Sequence, residues 1–222
     1  MKQFLKDRTG STILYLLLAI LLQIILIKVF TWLMPGESVS ANANFLNKIL
    51  MVFIAVETIV FLYLTPLEIN WAALRILPDC KWKREWIEAL LVSAVLVSAM
   101  LIYRWILNYM DPQVAERPVF GLYLHIHARW FYPINVVLQE LFVKAVVQHN
   151  IGKGIGGKHL SIWINALFFG IFHMTYPLYY LLGAVLLCGI TGYLYERDKN
   201  IWGSALIHFV IGFMPRALGL KV

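Results

Sequence analysis

Apolar runs long enough to cross a bilayer follow one another along almost the whole of this chain, which restricts it to very few architectures. The hydrocarbon core of a membrane offers no water to backbone N–H and C=O groups, so a segment inside it must satisfy them internally, as a helix or a closed barrel does. The runs here have helix length and lack the strict alternation of a barrel strand. The sequence therefore predicts an all-α, polytopic transmembrane helical bundle. Of its 222 residues, 61% are hydrophobic and 14% charged, against roughly 45–50% and about 25% in soluble domains. That balance leaves little room for a separate soluble domain.

Turn residues and charges divide the chain into about seven expected spans. The first covers about 11–34 and ends at Pro35-Gly36. Its apolar core exceeds the roughly 7–15 residues of a signal peptide, so a retained helix is expected, although Val39-Ser40-Ala41 resembles a cleavage site. The second, about 45–64, closes at Thr65-Pro66, and the third and fourth cover about 86–107 and about 131–148. The fifth, about 160–176, meets Pro177, whose missing N–H ends or kinks a helix. The sixth covers about 178–195, and a short seventh, about 201–213, stops at Pro215. Residues 119–130 are too short and too rich in His and Arg to span, and read as a re-entrant or interfacial piece. One integrated membrane domain is expected, with N-terminal helices and the interfacial segment over 1–130 and a core over 131–222.

The net charge of +7 invites a nucleic-acid reading, but the basic residues sit at the ends of apolar segments, where they orient a protein in the bilayer. The expected partner is the lipid bilayer, not nucleic acid. With seven alternating spans, eleven Lys and Arg fall in the head and in the loops near 65–85, 150–159 and 196–200, against five on the other side. Cations concentrate in cytoplasmic loops, so the chain reads as a multi-pass cell-membrane protein with its amino terminus in the cytoplasm. Cys80 lies in a basic loop and Cys188 inside an apolar run, so neither a disulfide framework nor a metal or redox pair is expected.

Three apolar segments carry groups that lipid disfavours: Gln139, Glu140 and Lys144 in the first, His173 in the second, His208 in the third. Ionisable groups at membrane depth are costly unless they face protein or a wet cavity, so they mark candidate sites. Glu140 and Lys144 stand i and i+4, with the acid amino-terminal, the favourable order for a helix ion pair. Gln139 and Glu140 are about 100° apart on a helix and do not share one direction. Each His alone reads as a buried imidazole bonded to a carbonyl. One acid and two His on successive polar-bearing helices read instead as convergence on one cavity.

The stretch Val137 to Gln148 resembles the first signature of the CPBP family, also called the Abi or CAAX prenyl endopeptidase family, usually E-E-x-x-x-R. Phe169 to His173 resembles the second, F-x-x-x-H, and Ile201 to His208 the approach to the third, where Asn or Asp follows a His by four residues. The resemblance covers about 131–215, in the family's order. It implies an intramembrane endopeptidase in which a Glu and the second-motif His activate water, while the third-motif His and Asn stabilise the oxyanion. By position, Gln139 stands for the catalytic Glu, Glu140 is its neighbour, His173 is the water partner and His208 an oxyanion donor. No cofactor is implied. Lys144 stands in place of the Arg and Gly212 in place of the Asn.

A glutamine amide orients water but has no useful basicity near neutral pH. Gly212 lacks a donor, and losing one oxyanion donor costs about 10²–10³ in rate in other enzymes. Lys replaces the planar bidentate fork of Arg by a point charge. Two functions therefore compete: an intramembrane endopeptidase acting on a membrane-associated peptide or protein, with Glu140 as replacement base, and a non-proteolytic relative that binds a membrane partner in a bacteriocin-immunity or sensor-regulating role. The three departures tip the balance slightly towards the second. The stretch Gly152 to Lys158 has phosphate-loop spacing, but His159 follows where Ser or Thr is needed, and no nucleotide is expected. His125, His127 and His149 form no closed ligand set, so no metal is expected. Glu57 is a remaining acid within an expected span.

Overall fold

The computed structural model describes residues 6–75, 79–120 and 131–220, and the described residues are helical, joined by turns. The helices are α1 (Arg8–Leu33), α2 (Ala43–Leu64), α3 (Asp79–Met110), the single turn α4 (Pro112–Ala115), α5 (Tyr132–Glu140), a π-helical stretch (Leu141–Gln148), α6 (His149–Gly154), α7 (Lys158–Ile171), α8 (Leu178–Asp198) and α9 (Trp202–Ala217). A short 3-10 turn, Trp71–Leu74, lies between α2 and α3. Four of these, α1, α2, α8 and the Trp82–Met110 part of α3, are long and apolar enough to cross a membrane, and α9 is a shorter apolar helix. The chain is a multi-pass helical membrane protein. The expected fourth, fifth and seventh spans are the shorter or interrupted elements, and these carry the candidate residues. The expected interfacial piece, with His125, His127 and Arg129, lies largely outside the described residues.

The chain forms two compact units: Met1–Trp71 with Phe142–Glu196, and Ala72–Leu141 with Arg197–Val222. In the first, α1 packs on α2, α6 and α7. Tyr15, Leu16, Ala19, Leu50, Ile54, Phe61, Val147, Ile151 and Phe168 form its core. Polar groups in this core find partners close by: the Tyr15 hydroxyl meets Thr58 Oγ1 at 2.8 Å, and Gln23 Nε2 donates to the Ile171 carbonyl at 2.8 Å. That carbonyl belongs to the last residue of α7 and also accepts Met174 N–H of the following turn at 3.0 Å. Gly170 lets α7 approach α8, since a Cβ there would collide with Val185, the close packing that small residues permit between membrane helices. Gly156 and Gly157 turn the chain before α7 with φ of +90° and +80°, backbone that glycine adopts without a Cβ penalty.

A surface cluster ties the ends of this unit's helices together. Glu68 receives Arg8 Nη2 at 3.2 Å, His149 Nε2 at 2.8 Å and Lys153 Nζ. Asn150 Nδ2 donates to the Glu68 carbonyl at 2.8 Å. The Lys153 and His149 bonds, with Arg8 behind them, lower the Glu68 carboxyl from 4.5 to about 2, because each favours the charged form.

In the second unit α9 packs on α3 and on α5, and α4 folds back on α3. The start of α9 is capped twice: Glu85 Oε1 accepts Gly203 N–H at 2.8 Å and Asn200 Oδ1 accepts Trp202 N–H at 2.9 Å. Acceptors at a helix amino terminus satisfy orphan donors and complement its dipole. The other end continues to Ala217, two residues past the expected stop, with Pro215 inside its last turn. Gly219, at φ +65°, follows, and its carbonyl accepts from buried Arg104 Nη1 at 3.4 Å. Arg104 Nη2 donates to the Arg117 carbonyl at 2.7 Å.

Candidate functional site

Gln139 and Glu140 close α5, and the π-helical stretch begins at Leu141. A π-helix bonds i to i+5, and single π turns interrupt α-helices frequently at functional sites. The α-helical step on which a Glu140–Lys144 pair depends therefore stops at Glu140. Glu140 is 3% exposed and His208 8%, and Glu140 Oε1 lies 2.7 Å from His208 Nδ1. That length is typical of a charge-assisted bond. An ionised carboxylate only accepts, so His208 Nδ1 then carries the proton and Nε2 the basic lone pair. The packing of α5 on α9 within the second unit makes this contact, and it joins two of the four residues singled out in the sequence. Gln139 stands beside them on α5, half-buried.

Gly212 follows His208 by one turn of α9 and so lies on the same face. It is filled from elsewhere: a Cβ built there would collide with Tyr132 Oη and lie 2.8 Å from Tyr132 Cζ. The Tyr132 ring also leans on Phe209, centroids 5.8 Å apart. Tyr132 stands at the start of α5 with a proline in the first turn, whose fixed φ is pre-set for a helix start. The sequence carries no local signal of this contact, because an aromatic at one end of a helix and a glycine eighty residues later share no periodicity.

His173 and Lys144 belong to the first unit. The α7 helix ends at Ile171, so His173 stands in the turns that follow and not in a span reaching 176. His173 Nδ1 meets the Phe169 carbonyl at 3.0 Å. A carbonyl only accepts, so Nδ1 carries the hydrogen and, in the neutral ring, Nε2 the lone pair. The loop is held by Thr175 Oγ1 to Asn47 Oδ1 at 3.2 Å and the Tyr176 hydroxyl to Asn44 Oδ1 at 2.8 Å.

Lys144 is fully buried and donates to the Cys188 carbonyl at 2.9 Å and to Cys188 Sγ at 3.2 Å. Asn165 Nδ2 reaches the same sulfur at 3.4 Å and Gln148 Oε1 at 3.2 Å. Gln148 Nε2 in turn donates to the Gly192 carbonyl at 3.0 Å and to Glu196 Oε1 at 3.1 Å. This buried network was not expected from the sequence, though Lys144 and Gln148 at i and i+4, facing a helix with Gly189 and Gly192, are its trace. Among the described residues, no three His, Cys, Asp or Glu side chains gather as a metal site requires.

Residues 125–214 match the family model of the type II CAAX prenyl endopeptidase Rce1-like proteins. No curated protein matches the chain, and no solved structure does. The matched stretch contains Gln139, Glu140, His173, His208 and Gly212. Over residues 125–214 this helical membrane protein is thus similar to the Rce1-like proteins, a match consistent with the CPBP family.

Proposed function

We propose that this chain is an intramembrane endopeptidase of the CAAX type, cleaving a membrane-associated peptide or protein, and that Glu140 and His208 carry the proton. The 2.7 Å contact between a buried carboxylate and an imidazole is the observation that supports this reading, because it supplies the basicity that Gln139 lacks. With Nδ1–H bound to Glu140, His208 Nε2 takes a proton from water as the water oxygen bonds to the peptide carbonyl carbon. The carboxylate stabilises the imidazolium that forms, an effect larger in a dry site than in water. The tetrahedral intermediate then collapses, the C–N bond breaks, and the imidazolium returns the proton to the leaving nitrogen. One water and one amide become an acid and an amine. In this reading His208 moves a proton, where the resemblance alone implies an oxyanion donor. Gln139, next to Glu140 at the end of α5, orients water through its amide.

Hydrolysis by direct water attack leaves one solvent oxygen in the new carboxylate and forms no acyl-enzyme. Purified protein in liposomes, given a prenylated CAAX peptide in ¹⁸O-water, is expected to release a product with one ¹⁸O in that carboxylate, and His208→Ala to release none. No turnover of any membrane peptide by the wild type, with its cellular phenotype surviving His208→Ala, would favour the partner-binding alternative.

The amino terminus is assigned to the cytoplasm from the distribution of Lys and Arg. In a Cys80→Ser background, cysteines introduced beside Lys83 and Lys153 should escape an impermeant reagent added to intact cells, and one beside Asn42 should react. The reverse pattern overturns this orientation.

A further inference from the structure

We propose that the Tyr132 hydroxyl is a catalytic hydrogen-bond donor, placed to stabilise the oxyanion, and that Gly212 exists to admit it. The inference rests on the hydrolytic reading above and deepens it. Within the second unit, Glu140 meets His208, while Tyr132, earlier on α5, meets Gly212, later on α9. The two helices thus run antiparallel here. Residues 132 and 140 are about 12 Å apart along α5, and 208 and 212 about 6 Å apart along α9, at 1.5 Å per residue. The length of the tyrosine side chain spans that difference and carries the hydroxyl back towards the pair. The phenol therefore lies about one helical turn from the imidazole, on the face of α9 that bears it.

The phenol oxygen packs directly against the backbone of Gly212. Alanine would already displace it, since a Cβ at 212 collides with Oη. The absence of a side chain at 212 and the presence of a phenol are one feature, and the phenol can do what a side-chain amide does at that place. Its one proton rotates about the Cζ–O bond to whichever acceptor is present. When water adds to the peptide carbonyl, negative charge grows on the carbonyl oxygen, and a donor fixed beforehand stabilises that charge more than the neutral carbonyl. The tyrosine proton is shared with the oxyanion and not transferred, so the balance of the hydrolysis is unchanged.

The test compares binding of a phosphinic peptide, whose tetrahedral P–O⁻ mimics the intermediate, with binding of the matching uncleaved amide peptide, to the full-length protein in detergent. Turnover is measured in parallel. Wild type should prefer the phosphinate, and Tyr132→Phe should bind it roughly 10²-fold more weakly, by analogy with other lost oxyanion donors, with amide-peptide affinity unchanged. The double variant Tyr132→Ala/Gly212→Asn, which exchanges the phenol for an amide, should regain part of the preference. Equal loss for both probes, or a Tyr132→Phe phosphinate affinity within about twofold of wild type, overturns the proposal. So does a wild type that fails to prefer the phosphinate. A preference that depends on Tyr132 in a protein that turns nothing over keeps the donor and removes the hydrolytic reading, so the two fail separately.

Discussion

The two units each bury polar side chains among apolar helices, and they do so in opposite ways. In the first, Lys144 meets a carbonyl and a thiol of α8, and Gln148 and Asn165 extend the chain of bonds from helix to helix. In the second, an acid meets a base at 2.7 Å. The first is a ladder of single bonds from one helix to the next, in which Lys144 donates to a carbonyl and a thiol and Gln148 carries the bonds on to Gly192 and Glu196. A carboxylate–imidazole pair holds geometry too, yet it can also take up and release a proton without leaving a bare buried charge. Burial does not distinguish the two, since Lys144 is more deeply buried than either member of the pair; the chemical identity of the partner does.

The comparison breaks most visibly in activity. His208→Ala should abolish peptide cleavage, and Glu140→Gln should lower it by about 10³–10⁴, the scale of a carboxylate-to-amide change behind a catalytic imidazole, read as initial rates in liposomes. Lys144 should behave in the opposite sense. Lys144→Ala leaves a cavity and should destabilise the fold by about 2–3 kcal/mol, seen as a lower thermal midpoint in detergent. Lys144→Met fills the space without a charge and should lose less than about 1 kcal/mol, since replacing a buried ion by an apolar isostere is often close to neutral. Cleavage by Lys144→Met should stay within about threefold of wild type, as expected of a residue outside the reacting centre.

The smallest effect is expected at the surface cluster of the first unit. The folded-state pKa of Glu68, about 2, is lower than its ordinary value of 4.5, so its contribution is present above about 4.5 and is lost as pH falls towards 2. Because Glu68 is 42% exposed, the contribution is less than about 1 kcal/mol. Glu68→Gln should flatten the acid limb of a stability profile between pH 4.5 and 2, lowering stability near pH 7 by that same small amount and leaving it unchanged near pH 2.

Much of this was legible in the chain. Apolar run length set the class, and Pro35-Gly36 and Thr65-Pro66 marked helix ends that the structure places at Leu33 and Leu64. The motif residues were found in order because polar groups stand out in apolar runs. Pro177 was less informative: α7 stops at Ile171, and His173 N–H to the Gly170 carbonyl and Met174 N–H to the Ile171 carbonyl tighten the chain into turns before the proline is reached. The change of helical step at Leu141 has no residue signature, and with it went the expected Glu140–Lys144 pairing. Which residue faced Lys144, and what filled the place opposite Gly212, depend on contacts between distant stretches of chain, and periodicity along one helix does not report them.

The account stands most directly on Glu140→Gln, measured for both rate and stability in the same preparation. A glutamine at 140 keeps the size and an acceptor oxygen for His208 Nδ1–H but removes the charge that stabilises the imidazolium. The account predicts cleavage of a prenylated CAAX peptide lowered by about 10³–10⁴ with the thermal midpoint nearly unchanged. Cleavage at the wild-type rate, or loss of rate only in step with loss of the fold, contradicts it.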